Sequence, residues 1–182
     1  MTPKQLKRLE RELNDFVESL TSGMGRPERR DAMGNYVTGL LLDGDRKSTQ
    51  PMAARLVDNP AEAEAMRQRL QQCVNVSPWD AREMFRRIAL KADRELPRPE
   101  QWIVDDTGFA KKGDHSVGVA RQYSGTLGRT DNCQVATSLH LAGEAGSVCI
   151  GMRLYLPESW TADRERCQRA GVPDDIAYLP KW

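Results

Sequence analysis

Apolar positions in the first hundred residues recur at helical spacing. Leu6, Leu9, Leu13, Phe16, Val17 and Leu20 fall at three- and four-residue steps, one stripe of a helix, and Gly23 and Gly25 end it. A second helix is expected from Pro27, a residue favoured in a first turn, and carries Tyr36, Val37, Leu40 and Leu41 towards a core before Asp43-Gly44-Asp45. Met52, Leu56 and Val57 predict a short third helix. Asn59-Pro60 reads as a cap and first-turn proline leading into Ala63, Met66, Leu70 and Cys73. In Ser77-Pro78-Trp79-Asp80, Ser77 is the expected cap and Asp80 favours the positive helix end; Phe85, Ile88, Ala89 and Leu96 continue the helix to Pro97.

After Arg98-Pro99 the period changes. Trp102-Ile103-Val104 is a short apolar strand running into Asp105-Asp106. Val135, Thr137, Leu139 and Leu141 alternate with Ala136, Ser138 and His140, the period of a strand. Ala142-Gly143-Glu144-Ala145-Gly146 predicts a turn, and Val148 to Leu156 the returning strand. Ser159 is expected to cap a helix that reaches about Ala170 and stops at Gly171. The expected order is strand, long loop, hairpin and helix, in a chain of class α+β: a helical region over residues 1–98, then a mixed region over 99–182. At most three strands and one helix need more cover than they carry. The apolar tail from Ile176 to Trp182 reads as the approach to a further element.

Composition narrows this picture little. With 39% apolar and 29% charged residues the 182-residue chain is of ordinary globular type, and no stretch has the length of a membrane span. No signal-peptide core follows Met1, so a cytoplasmic location is expected. Cys73, Cys133, Cys149 and Cys167 are widely spaced and accompany only His115 and His140, a pattern expected for packed thiols and not for a zinc cage. The net charge of +1 gives no global sign of nucleic-acid binding. Local clusters exist at Arg26, Arg29 and Arg30 and at Arg82, Arg86, Arg87 and Lys91, but interleaved acids read them as solvated helix faces.

The candidate chemistry lies where the first strand meets its carboxylates. A buried strand ending in Asp105-Asp106 would hold a carboxylate rigidly. Hard cations such as magnesium take one or two such ligands with water and phosphate, and two-metal phosphoryl-transfer enzymes use the arrangement on attacking and leaving oxygens. Lys111 and Lys112, with Arg121 and Tyr123, lie on an expected loop that could meet a phosphate backbone. Taken alone, D-D-T-G fits a polar strand end or turn better than a metal site.

From Trp102-Ile103-Val104-Asp105-Asp106-Thr107-Gly108-Phe109 through Lys111-Lys112-Gly113 and His115 to Gly128, the chain resembles 701-type insertion-sequence transposases of the DDE superfamily. The likeness extends through Asn132-Cys133-Gln134-Val135, Arg153-Leu154-Tyr155-Leu156-Pro157 and Ala170-Gly171-Val172-Pro173. In the helical half it includes Gly39 to Gly44 and Ser77-Pro78-Trp79-Asp80. The resemblance implies an RNase H-like domain, here only its first strands and first helix, preceded by a helical region that helps bind transposon ends. It implies magnesium as cofactor, double-stranded DNA with terminal inverted repeats as partner, a homo-oligomer and a nucleoid-associated location. The first carboxylate of the catalytic triad maps to Asp105 or Asp106, with preference for Asp106. The family's second Asp and its Glu have no counterpart before Trp182, so the expectation is a truncated, inactive fragment. The alternatives are a DNA-binding protein that represses the intact enzyme, or an interaction module.

Overall fold

The computed structural model describes residues 2–23 and 25–180. Met1, Met24, Lys181 and Trp182 lie outside the described residues, and with them the end of the apolar tail. The chain forms two compact units, Met1–Arg87 and Ile88–Trp182, divided within a helix.

In the first unit, α1 (Pro3–Thr21) opens with a reciprocal cap: Thr2 Oγ1 accepts from the Gln5 amide at 3.3 Å, and Gln5 Oε1 accepts from the Thr2 amide at 2.8 Å. Next come α2 (Pro27–Leu41), α3 (Thr49–Leu56), a 3₁₀ turn (Pro60–Glu62) capped by Asn59, α4 (Ala63–Asn75) and α5 (Ala81–Glu95), which crosses into the second unit. Met52, Ala53 and Leu70 form the buried centre, with Tyr36, Leu56 and Met66 against it. The apolar stripes overstate the core. α1 buries Val17 and Leu20 but leaves Leu6 and Leu9 exposed, and Leu41 is 68% exposed. α2 instead packs through a small residue: a Cβ on Gly39 would sit 3.3 Å from both Leu56 Cδ1 and Met52 Cβ, so α3 approaches its backbone closely.

The cap of α5 also differs from the expected one. Asp80 Oδ1 accepts from the Glu83 amide at 3.0 Å, while Ser77 Oγ donates back to the Gln72 carbonyl at 3.2 Å. Pro78 intervenes, and Asp80 stands directly before the first helical residue. Most of the basic clusters are engaged within the fold. Arg30 pairs with Glu18, Arg86 and Arg87 with Glu83, and Lys91 with Glu95, which accords with solvated, internally paired helix faces.

The second unit contains an antiparallel sheet of four strands where at most three were expected: β1 (Gln101–Ala110), β2 (Ala120–Ser124), β3 (Arg129–Gly143) and β4 (Gly146–Leu154). The segment around Arg121 and Tyr123 is thus β2 and not a loop. β3 begins at Arg129, six residues before the alternation becomes legible, because Arg129-Thr130-Asp131-Asn132 supply β2 with ladder partners despite their polarity. β3 is the hub: β1 runs along it from Gln101↔Ala142 to Ala110↔Cys133, while β4 pairs from Ala136↔Leu154 to Gly143↔Gly146. The expected last helix is split into α6 (Glu158–Thr161) and α7 (Arg164–Arg169). Asp163, and not Ser159, supplies a side-chain cap, accepting from the Arg166 amide at 2.9 Å, and Gly171 (φ +71°) ends the pair. Trp160, Val119 and Cys167 form the core beneath these helices. Cys73, Cys133 and Cys167 are buried free thiols, and burial pushes the Cys73 thiol up.

Candidate functional site

Asp105 and Asp106 are not at a strand end. β3 continues to offer backbone partners as far as Cys133, so β1 runs on through Thr107, Gly108, Phe109 and Ala110. Nor does a buried segment hold them. β1 pairs only with β3 among the described residues, and its leading run is open to solvent, with Trp102 70% and Val104 60% exposed.

Consecutive strand residues face opposite sides of a sheet, so the two carboxylates are separated and given different surroundings. Asp106 is half-buried and lies directly across from Thr137, whose hydroxyl donates to Asp106 Oδ1 at 2.7 Å. Asp105 is exposed on the other face. Its Oδ1 accepts from the neighbouring Asp106 amide at 2.8 Å, while its backbone carbonyl accepts from Ser138 Oγ at 3.3 Å. On the Asp106 face, Gly108 leaves room for Ser124: a Cβ at 108 would lie 2.0 Å from Ser124 Oγ. Tyr155 also belongs to this side. Burial pushes its phenol up, reinforced by a hydrogen bond with Tyr178 and by the charges of Tyr178, Glu158 and Asp106.

The predicted DNA-contacting residues fall into two groups. Lys111 and Lys112 are exposed just beyond β1, in a connection fastened by side chains to backbone carbonyls. Asn132 Nδ2 donates to both Lys111 O and Gly113 O at 2.9 Å, Gln134 Nε2 to Val117 O at 2.6 Å, and Trp160 Nε1 to Val119 O at 2.8 Å. Arg166, stacked 3.8 Å from the Trp160 ring centre, donates to Asp114 O at 2.6 Å. Arg121 and Tyr123 are exposed on β2, opposite Asn132 and Thr130. By register they share the Asp105 face, so the sheet does not gather them around Asp106. The Asp131 carboxyl is lowered from its ordinary value because the Asn132 amide and the Arg129 guanidinium hydrogen-bond to it.

Sequence reasoning did not single out Thr137 or Asn132, which the fold sets against Asp106 and the Lys111–Gly113 connection. Both lay inside recognisable stretches, but their partners became identifiable only with the β1–β3 register. A half-buried carboxylate on a paired strand, with one oxygen already oriented by a hydroxyl, suits a hard divalent cation that completes its shell with water and phosphate. Asp106 would be one ligand of such an ion; among the described residues no three His, Cys, Asp or Glu side chains gather into a metal-binding group.

Comparison with known proteins places the chain in a family. Residues 16–182 match the family described as DDE superfamily endonuclease. Over 134 residues the chain is 37% identical to the probable transposase for insertion sequence element IS701 of Microchaete diplosiphon, an alignment covering 71% of this chain and 31% of that protein. The matched region therefore spans about a third of that relative's length. No solved structure gives a significant match.

Proposed function

The chain belongs to the DDE superfamily endonucleases, a family of divalent-metal enzymes, and we propose that it is the N-terminal portion of an insertion-sequence transposase, with Asp106 as the first metal-binding carboxylate. The observation that carries the assignment is the different treatment of the two acids: Asp106 is half-buried and oriented by Thr137, whereas Asp105 faces solvent from the other side of the sheet. The antiparallel order β4-β3-β1 with the carboxylate within β1 supports an RNase H-like core.

In such a site magnesium would activate water, and then a DNA 3′-hydroxyl, for in-line attack on phosphodiesters. The contributions of this chain are to hold Asp106 in one orientation through Thr137 and to present cations to DNA. Lys111 and Lys112 stand on a connection pinned at Lys111, Gly113, Asp114, Val117 and Val119, so little ordering entropy is lost when they meet phosphate. Arg121 and Tyr123 extend the contact surface on β2. Asp105 supports the strand locally and is not a ligand of the same ion.

One strand-held carboxylate binds a cation weakly, so this chain alone binds double-stranded DNA at transposon ends, as a soluble nucleoid-associated protein able to self-associate, and cleaves little or none. The test is a mobility-shift and cleavage assay on terminal inverted-repeat DNA with purified protein and magnesium. A salt-sensitive shift without strand cleavage is expected. Absence of any shift would contradict DNA binding; cleavage lost in an Asp105→Ala/Asp106→Ala variant would contradict the inactivity of the isolated chain.

A further inference from the structure

A third residue stands in line with Asp106 and Thr137. Asp106 is the cross-strand partner of Thr137, and Thr137 is in turn the partner of Arg153 on β4. Directly opposed residues of antiparallel strands project from the same face, so acid, hydroxyl and guanidinium form one row across β1, β3 and β4. Adjacent strands lie about 4.8 Å apart, which puts the Asp106 and Arg153 backbones about 10 Å from each other. A phosphate bound to a cation on Asp106 would occupy the space between them, within reach of an arginine side chain.

Arg153 combines two features that favour an anion. It is exposed yet makes no side-chain hydrogen bond or ion pair among the described residues, unlike Arg30, Arg86, Arg87 and Arg129. It also lines a groove of about 910 Å³ together with Val104, Thr137, Leu139, Tyr155, Val172 and Ile176. In a mostly apolar groove an unneutralised guanidinium focuses positive potential, and its planar fork matches two phosphate oxygens.

We infer that Arg153 binds a phosphodiester of the DNA strand lying in this groove, immediately beside the position of Asp106. The inference rests on the transposase reading and adds to it a residue and a path for the strand. Arg153 holds the phosphate while Thr137 holds the carboxylate, and the apolar walls receive the deoxyriboses that flank it.

The test measures binding of a labelled duplex oligonucleotide by fluorescence anisotropy across a salt series, without divalent cation, for the full chain and its variants. Arg153→Gln is expected to weaken binding roughly three- to tenfold and to reduce the slope of log affinity against log salt by about 0.9, the value for one phosphate contact. Arg153→Lys keeps the slope, because it keeps the charge. Asp106→Asn is expected to tighten binding by removing a negative charge beside the phosphate, and to do so less in the Arg153→Gln background. Unchanged affinity and slope in Arg153→Gln, with wild type binding DNA, would overturn the inference and leave the family reading intact. Strictly additive effects of Asp106→Asn and Arg153→Gln would likewise overturn it, since the two groups would then not address one phosphate. No salt-dependent DNA binding by wild type would overturn both readings.

Discussion

Gly108→Ala tests the geometry that shapes the Asp106 face. A Cβ at this position would lie 2.0 Å from Ser124 Oγ and 2.6 Å from Ser124 Cβ, and Ser124 is 1% exposed. Carbon atoms pack comfortably at about 3.5–4.0 Å, so relief requires a movement of about 1 Å by one of two strands, each held in a ladder with β3. A hydroxyl rotation cannot suffice, because the clash includes Ser124 Cβ. Overpacking of this kind costs about 1–3 kcal/mol, and the double involvement of backbone places the expected loss near the upper end. The clash also predicts its own rescue. In Gly108→Ala/Ser124→Gly the nearest remaining atom of residue 124 is its Cα, at 3.4 Å. The double variant should then recover all but about 1 kcal/mol, the entropic cost of a strand glycine. Native-state hydrogen exchange at the β3 amides from Cys133 to Thr137 reads both changes as opening free energies. A single variant within about 0.5 kcal/mol of wild type, or a double variant no more stable than the single, would refute the reasoning.

Three further outcomes follow from the same contacts. Trp160→Phe leaves the buried Val119 carbonyl without its 2.8 Å donor and should destabilise the second unit by about 1–3 kcal/mol, with faster exchange through residues 113–119; unchanged exchange there would contradict the anchoring role. Arg87 donates to the Leu20 carbonyl at 3.3 Å and the Ser22 carbonyl at 2.5 Å, so Arg87→Met should fray the C-terminal turn of α1 by about 1–2 kcal/mol, read from amide exchange at Leu20 and Ser22. Hydrogen bonds from Arg86 and then Arg87 hold Glu83 at about 2, and those from Arg67 and Gln68 hold Glu64 at about 2. Both folded values are depressed, so their stabilisation is present above the ordinary carboxylate range and is lost as pH falls from there towards 2. Acid titration of helicity should show this loss, weakened by salt because the pairs are solvated. A Glu64→Gln/Glu83→Gln variant should lose less stability over that window; an unaltered profile would exclude these pairs as its source.

The helical half was legible because capping residues and proline mark helix starts locally: Pro27 and Asn59-Pro60 fall where the structure uses them. The exception at Ser77 arose from two eligible caps three residues apart. Burial was less legible. Leu6, Leu9 and Leu41 carry the correct period yet remain exposed, since periodicity identifies a face but not whether another element covers it. In the sheet, Val135 to Leu141 announced β3, but Arg129 to Asn132 did not, because those polar residues are strand only through pairing with β2. The site followed the same division. Asp105 and Asp106 stood out in the chain as candidates, but an expected strand end left their faces open, and only the continuation of β1 to Ala110 separates them. That Thr137 meets one of them depends on a register set 31 residues away, as does the row that ends at Arg153.

Manganese titration of the purified chain, followed by paramagnetic broadening of assigned amide resonances, addresses the assignment of Asp106 most directly. Broadening should centre on Asp106 and Thr137, persist in Asp105→Asn, weaken in Thr137→Val and vanish in Asp106→Asn. Broadening that survives Asp106→Asn but is lost in Asp105→Asn would contradict the assignment and move the first carboxylate to the other face of the sheet.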